Sequence, residues 1–344
     1  MKLNTAILLA GLSLLCICCN KKNDQTPTPT PGPTGIWVNT NFSVSNTNSI
    51  WSMLVTRGGR ILVGTNISYG NPSLYASTDT GATWHLSDSL NPVRVNGTPY
   101  CIKQDPVTNR VLIGCNSQQL QSLFTSTDDG NTWVNNPNIF SPIDFVFMNN
   151  KAYMSIQNGV APNPPKYLMS STDDFSSNWT DCTPNTAITP YRLLADNGSL
   201  FVGSIGANGL YRTSTPEGRT YTRTDNGITY ANPGTSWVQR MVRKDSYIFT
   251  ATTDGVFRSS DGGSSWTPCN LGFSRGANDF AVVGSDIYVA LTDSAVYKSS
   301  DNGATWSAFH QGLTLPLTVN CLQVIGNYLL EGDGNSKVYK IKLN

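Results

Sequence analysis

Three carboxylates are the side chains of this sequence with the most direct catalytic potential. Glu331 is one of two glutamates in the chain, and the other, Glu217, lies inside a repeated turn motif. We expect Glu331, Asp279 and Asp144 to lie near one end of a central channel. Paired carboxylates in a cleft can act as general acid and general base, or can hold a cation. The three residues are therefore the candidate catalytic residues of this chain.

The expected position of these residues follows from repeated hairpins such as "LVTRGGRILVGT" at 54–65, in which two apolar strands flank a short turn. Aligning the hairpins on their turns places one residue of each near the start of its first strand. These residues are Met53, Asp144, Arg192, Gln239, Asp279 and Asn320, with Tyr100 or Cys101 in the remaining hairpin. The opposite register holds Gly64, Gly114, Ser155, Gly203, Thr250, Ala290 and Glu331. The pattern predicts a polar channel mouth, which could be merely solvated, a ligand site or a catalytic site.

The hairpins alternate with a recurring octet, written "SSDNGATW" at 299–306. Further copies end at Trp84, Trp133, Trp179, Tyr221 and Trp266, so the octets recur at intervals of 40 to 49 residues. That interval is the length of one four-stranded propeller blade. A short apolar strand precedes each octet, and a last such strand, "VYKI" at 338–341, has none after it.

The segment "TGIWVNTN" at 34–41 matches the missing end of the last blade. We therefore predict an all-β, seven-bladed β-propeller over residues 36–344, with Trp37 entering the outer strand of the last blade. Pairing of the two chain ends would leave no exposed sheet edge.

The octet S-x-D-x-G-x-T-W resembles the Asp-box, or BNR, repeat of sialidases, sortilin-like receptors, xyloglucanases and photosystem II assembly factors. The resemblance covers almost all of residues 36–344. It implies that the octets lie on the face away from the ligand, and that their aspartates are structural. These aspartates are Asp79, Asp128, Asp173, Asp261 and Asp301. The Arg-Ile-Pro segment of sialidases is missing here, and xyloglucanases use two propellers where this chain has one. Both departures weigh against catalysis.

The expected function is non-catalytic binding of a protein or glycan through the face opposite the octets. The alternative, implied by the resemblance to sialidases, is a glycoside hydrolase that uses Glu331, Asp279 and Asp144. Polar and aromatic side chains on that face are the candidate ligand contacts. They are Arg192, Gln239, Asn320, Trp51, Tyr191 and Trp237. Trp51 and Trp237 are expected at equivalent places in blades 1 and 5, where they could be exposed or buried between blades.

The N-terminal residues predict a secretory signal followed by an extended tether. Residues 1–19 have a charged start and a short apolar run, which is typical of a secretory signal. The cysteines at its end resemble a bacterial lipoprotein signal, with Cys19 favoured over Cys16 or Cys18 as the lipidated residue. Residues 20–35 alternate Thr and Pro, so they favour an extended tether. We therefore expect an outer-membrane lipoprotein, periplasmic or surface-exposed, that contacts the membrane only through its lipid anchor.

Composition excludes several other classes of protein. Basic and acidic residues number 23 and 22, so the chain has no basic field for nucleic acid. Two histidines and no Cys-x-x-Cys pair in the body make a metal site improbable, and we expect no cofactor. Cys101 and Cys115 could form a disulfide or remain buried thiols. The expected assembly is a monomer.

Overall fold

The computed structural model describes residues 35–343, apart from several short segments. Those segments are 43, 45–48, 67–72, 88–94, 96, 117–121, 137–138, 140, 161–165, 174, 177, 187, 207–208, 232–234 and 273–274. The predicted signal, Cys19 and nearly all of the tether lie outside the described residues. In the part of the chain that is described, no helix has the length and apolar character needed to cross a membrane.

Seven four-stranded antiparallel sheets form the molecule, so the predicted seven-bladed propeller is confirmed. From blade 1 to blade 7, the innermost strands are β2 (Ile50–Val55), β6 (Thr98–Gln104), β10 (Pro142–Met148), β14 (Pro190–Asp196), β18 (Val238–Lys244), β22 (Ala277–Val283) and β26 (Val319–Ile325). The second strands are β3 (Ile61–Thr65), β7 (Val111–Asn116), β11 (Lys151–Val160), β15 (Ser199–Ser204), β19 (Tyr247–Thr252), β23 (Asp286–Leu291) and β27 (Tyr328–Asp333).

The outer halves of the blades are built from shorter strands. The third strands are β4 (Leu74–Ser77), β8 (Leu123–Ser126), β12 (Lys166–Ser171), β16 (Leu210–Thr213), β20 (Gly255–Ser259), β24 (Ala295–Ser299) and β28 (Val338–Lys342). The outermost strands are β5 (His85–Leu86), β9 (Val134–Asn136), β13 (Trp179–Asp181), β17 (Thr222–Arg223), β21 (Thr267–Pro268), β25 (Ser307–Ala308) and, in blade 7, β1 (Val38–Asn39). A single 3₁₀ turn, Pro216–Gly218, stands among the described residues.

The antiparallel order divides the connections between two faces. The inner strands all start at one face, which also carries the links between blades and between second and third strands. The octets join third to outermost strands, so they lie at the opposite face with the hairpin turns. We call these the mouth face and the octet face.

The ring closes where the N-terminal strand completes blade 7. Val38 pairs with Lys340 and Asn39 with Tyr339. The Trp37 indole is buried and donates to the Phe309 carbonyl at 2.8 Å, as the Trp266 indole of blade 5 donates to Thr224 at 2.7 Å. The predicted closure of blade 7 by the N-terminal segment around Trp37 is therefore confirmed.

The core consists of seven apolar clusters, each shared by two neighbouring blades. Small residues on the second strands allow the blades to approach. A Cβ added at Gly64 would lie 2.6 Å from Pro99 of blade 2, and one at Gly332 would lie 2.6 Å from Ile50 of blade 1. A methyl group at these places would push the blades apart.

The octets make the same hydrogen bonds in four blades. In blade 6, the Ser299 hydroxyl donates to Asp301 at 2.7 Å and accepts the Gly303 N–H at 2.8 Å. The Thr305 hydroxyl and N–H donate to the same carboxylate at 2.6 and 2.9 Å. Asp79, Asp128 and Asp261 have matching partners. The octet side chains thus satisfy their own turn.

The blade 4 copy begins one residue earlier than the sequence pattern indicates. The Thr215 N–H donates to the Thr213 hydroxyl at 3.1 Å, as the Asp261 N–H donates to Ser259 at 3.4 Å. Thr215, and not Pro216, therefore stands in the place of the aspartate. The extra residue is accommodated in the 3₁₀ turn Pro216–Gly218.

Candidate functional site

Every innermost strand carries one β-bulge near its start. In β22, Ala277 pairs with Leu291 and Asp279 with Ala290, so Asn278 is an extra residue. The same shift occurs in the other six inner strands. The bulge residues are Trp51, Tyr100, Ile143, Tyr191, Gln239, Asn278 and Asn320. We call this ring of seven residues the mouth.

The bulges correct the register expected from the sequence. Asp144, Arg192 and Asp279 do share one position, directly after the bulge, and their counterparts are Ser52, Cys101, Arg240 and Cys321. Met53, Gln239 and Asn320 are each displaced from it by one residue. Thr250 and Glu331 are displaced likewise, because Ala251 and Gly332 are the small residues opposite. A one-residue shift turns a side chain to the other face of its sheet.

One part of the mouth is aromatic and the other carries amides. The Trp51 and Tyr100 rings lie 5.1 Å apart, and Trp51 is 38% exposed. Tyr191 packs against Trp237 at 5.5 Å. Blades 5, 6 and 7 instead present Gln239, Asn278 and Asn320. Such a surface can pack apolar groups on one side and exchange hydrogen bonds with a polar chain on the other.

Trp237 itself lies two residues before its bulge, so it is not equivalent to Trp51. Its carbonyl accepts the Thr253 N–H at 3.1 Å, which is the contact that Ser49 makes with Asn66 in blade 1 at 2.8 Å. The expected equivalence of the two tryptophans is therefore wrong. Both nevertheless contribute a ring to the aromatic part of the mouth face.

Cations outnumber carboxylates in the channel below the mouth. A cavity of about 380 Å³ is lined by Lys103, Arg192, Arg240 and Asp279, among others. Arg240 pairs with Asp279 at 3.0 Å, and Lys103 lies 3.9 Å from Asp144. Arg192 donates to the Ile143 carbonyl at 3.0 Å and lies 4.5 Å from the centre of the Tyr191 ring. With Arg57, four cations and the Asp279 carboxylate line the cavity, and Asp144 contacts Lys103 without lining it.

The two channel carboxylates are held by backbone amides across the blade seams. Asp144 accepts the N–H groups of Phe145 and Leu193, each at 3.0 Å. Asp279 accepts those of Phe280 at 2.9 Å and Leu322 at 3.0 Å. Each acid thus joins its blade to the next, and both are buried.

Lys103 is the one charged residue at its level of the channel, where the other inner strands carry Leu54, Val146, Leu194, Val242, Ala281 and Gln323. Burial lowers the pKa of Lys103 to about 8, and the Arg240 guanidinium acts in the same direction, while Asp144 opposes them. Crowding of like charges is relieved when an anion enters. The channel is therefore electrostatically suited to an anionic group.

Glu331 is separated from this cluster. It pairs with Leu322 and Tyr339, is fully buried, and lies on the same face of its sheet as Leu329, in the seam between blades 6 and 7. Neither carboxyl oxygen has a hydrogen-bond partner among the described residues. The corresponding residues of the other blades are Val63, Ile113, Met154, Val202, Thr250 and Val289. Burial raises the pKa of Glu331 well above its usual range, with Asp333 adding to the effect.

The sequence did not identify Lys103, Arg240 or Asn278 as site residues. Alternation along each inner strand could have indicated Lys103, two residues after Cys101. The position of a bulge has no comparable signal in a single sequence, which is why Arg240 and Asn278 were missed.

The cysteines and the acidic side chains form no further site in the described part of the chain. Cys101 and Cys115 are free, buried thiols that pack in different apolar clusters, on opposite sides of blade 2. No group of three or more His, Cys, Asp or Glu side chains is placed to hold a metal ion among these residues.

Comparison with known proteins identifies the fold. No family model and no curated protein matches the sequence. Among solved structures, "YCF48 bound to D1 peptide" aligns with a TM-score of 0.67 and 14% identity, over 92% of this chain and 99% of that one. The extracellular domain of the putative hybrid two-component system BT4673 from B. thetaiotaomicron aligns with a TM-score of 0.68 and 13% identity, over 89% of this chain and 39% of that one.

An enzyme is also similar. Virginiamycin B lyase from Staphylococcus aureus aligns with a TM-score of 0.68 and 14% identity, over 90% of this chain and 99% of that one. Identities this low establish a shared propeller architecture and nothing about activity.

Proposed function

We propose that this chain is a non-catalytic binding module that holds a segment of a partner protein across its mouth. One observation carries the proposal: the mouth surrounds a channel in which Lys103, Arg192 and Arg240 outnumber Asp144 and Asp279. The partner segment packs against Trp51 and Tyr100, exchanges hydrogen bonds with the amides of blades 5 to 7, and directs a carboxylate towards Arg192. The YCF48 structure with a bound peptide supports a protein ligand in preference to a glycan.

The two channel carboxylates support binding in preference to catalysis. Asp144 and Asp279 each accept two backbone N–H groups, and Glu331 is fully buried and does not line the channel cavity. A general acid and base must both reach one substrate bond. In this proposal, the acids maintain the ring and the cations meet the ligand.

Selection from a random peptide library by phage display tests this function. The protein is panned directly, with Arg192→Gln as the counter-selecting variant. Enriched peptides are expected to share an acidic residue and to lose at least tenfold in affinity on Arg192→Gln. Arg275→Gln is the matched control, because it removes the same charge from a half-exposed site outside the channel. Failure to enrich any peptide, or equal loss on both variants, contradicts the proposal.

We also propose that the octets are Asp-box repeats with a bracing role, and that the module is an extracytoplasmic, monomeric lipoprotein anchored through Cys19. The cysteine-terminated apolar run and the Pro-Thr tether of residues 20–35 support this placement. Incorporation of labelled palmitate is expected to be lost on Cys19→Ala and kept on Cys16→Ala. Loss of label on Cys16→Ala alone would assign the anchor to Cys16. Absence of label from both variants would reject the lipid anchor.

A further inference from the structure

Four blades place a basic side chain in a cleft on the octet face. The side chain belongs to the third strand and lies over an aromatic ring of the second strand. Arg212 lies 5.9 Å from the centre of Phe201, Arg258 5.2 Å from Tyr247, Lys298 5.8 Å from Tyr288 and Lys340 5.5 Å from Tyr328. Cation–π contacts of this kind stabilise a partly desolvated cation.

Three of these cations also reach the octet of the following blade. Arg212 donates to the Gly262 carbonyl at 2.7 Å, Lys340 donates to Thr80 at 2.8 Å, and Arg258 donates to Asn302. Lys298, which is followed by the blade without an octet, pairs instead with Asp286 at 2.7 Å. The repeated architecture thus creates a cleft suited to a cation with an oxygen acceptor at its far end.

Blade 3 lacks a basic residue at this position, and its Tyr153 ring is the counterpart of Phe201 and Tyr288. Ser170 occupies the position of these basic residues, since it pairs with Tyr153 as Arg212 pairs with Phe201. A cavity of about 370 Å³ lies there, which we call the blade 3 cleft. Its lining comprises Lys151, Ser170, Ser171, Thr172, Asn178, Trp179 and Thr180. Ser170, Lys151 and Thr180 are the counterparts of Arg258, Tyr247 and Thr267 in blade 5, so the cavity lies beside the position that a basic side chain occupies there.

An acceptor adjoins the blade 3 cleft, because the Glu217 carboxylate contacts the lining residues Lys151 and Ser170. Glu217, in the turn of blade 4, lies 2.7 Å from the Lys151 ammonium and 3.1 Å from the Tyr153 hydroxyl. The Ser170 hydroxyl is 3.5 Å away, and all three groups meet the same oxygen, Oε1. Glu217 remains 35% exposed. Lys151, the first residue of β11, links blades 3 and 4 through this contact. The cavity lies beside it.

We propose that the blade 3 cleft is a docking site for a basic side chain, an arginine or lysine, of a partner protein. The guanidinium lies over Tyr153 and donates to Oε2 of Glu217, as the protein's own Arg212, Arg258 and Lys340 reach their acceptors. The chemistry of the occupant is therefore indicated by four occupied copies within the same molecule. This site lies on the octet face and is independent of the function proposed for the mouth.

Titration with two short peptides tests the proposal. The probes are acetyl-Gly-Arg-Gly-amide and its citrulline counterpart, which has the same shape without the charge. Saturable NMR shifts of the Trp179 indole are expected with the arginine peptide, and at least tenfold weaker binding with citrulline. Equal binding of both peptides, or no saturable shift, overturns the site.

Two variants identify the cleft itself. Ser170→Arg restores the pattern of blades 4 to 7 and is expected to abolish peptide binding, whereas Thr125→Arg, at the same position of blade 2, leaves it unchanged. Retained binding by a folded Ser170→Arg protein contradicts the proposal. If that variant does not fold, Glu217→Gln decides, because it must weaken the arginine peptide at least tenfold. Arg192→Gln at the channel should leave this titration unaffected, which separates the two proposals.

Discussion

Asp279 of blade 6 accepts the backbone N–H of Leu322 in blade 7 at 3.0 Å, and Asp144 of blade 3 makes the same contact with Leu193 of blade 4. Each contact satisfies an amide beside a bulge, where the regular ladder is interrupted. The two carboxylates thus stabilise the bulged strands that form the mouth. Each also lies beside a cation, Asp279 beside Arg240 and Asp144 beside Lys103.

Removing one of these charges should destabilise the ring. Asp279→Asn is expected to lower the free energy of unfolding by about 2–3 kcal/mol, because it leaves Arg240 without its buried partner. Asp293→Asn is the matched control, since Asp293 is half-exposed in its ion pair and its loss should cost less than about 0.5 kcal/mol. Chemical denaturation measures both, and equal losses would contradict the bracing role.

The same contacts predict that the protein does not hydrolyse glycosides. Glu331 is enclosed by apolar residues of the seam between blades 6 and 7, and Asp144 and Asp279 are occupied by backbone donors. A reducing-sugar assay over a glycan panel is expected to show no turnover. Turnover that is lost on Glu331→Gln would establish the hydrolase alternative instead.

Glu331 should make the free energy of unfolding decrease as the pH rises. Its pKa is raised in the folded state by burial, so its contribution is fully present below the unfolded value near 4.5 and is lost as the pH rises through the folded value. The loss is up to about 1.4 kcal/mol per pH unit. Glu331→Met, which copies Met154 of blade 3, should remove this slope. Unfolding free energies from pH 5 to 9 measure it.

Glu217→Met is the control for that series. The pKa of Glu217 is lowered, since the hydrogen bonds from Lys151 and Tyr153 outweigh its burial, so its contribution is lost on acidification. Parallel pH profiles of wild-type protein and Glu331→Met would show that Glu331 is solvated, contrary to the structure.

The octet glycines should be intolerant of side chains for reasons of packing as well as backbone. Gly303 has φ +74°, and an added Cβ would lie 2.6 Å from a ring carbon of Phe249 in blade 5. Gly284 has φ +55°, with nothing within 4 Å. Gly303→Ala should therefore cost about 1–3 kcal/mol more than Gly284→Ala, measured by denaturation. Equal costs would show that the octet does not pack against the preceding blade.

The octet carboxylates should protect the fold against acid. Hydrogen bonds from Ser265 and Ser259 lower the pKa of Asp261 to about 2. Its contribution is present above the unfolded value near 3.8 and is lost as the pH falls towards 2. Asp261→Asn should lower the melting temperature at pH 7 and flatten its decline below pH 4. A decline as steep as that of the wild type would contradict this.

The sequence predicted the propeller architecture because the octets and hairpins recur along the chain. The octets and strand pairs give the blade length, and the isolated "VYKI" and Trp37 segments give the closure. The site was predicted only in part. Asp144, Arg192 and Asp279 were correctly aligned because each lies directly after its bulge, whereas Gln239 and Asn320 are the bulges themselves. The alignment placed Glu331 one residue away from its true register. It was expected on the channel side, whereas the structure places it in the buried seam between blades 6 and 7.

Hydrogen exchange of the protein with and without an acidic peptide selected on it tests most directly whether the ligand binds at the mouth. We expect slower exchange at the starts of β2, β6, β14 and β18, around Trp51, Tyr100, Tyr191 and Gln239, with the octets unchanged. Protection confined to the octets, with the mouth unaffected, would contradict binding at the mouth.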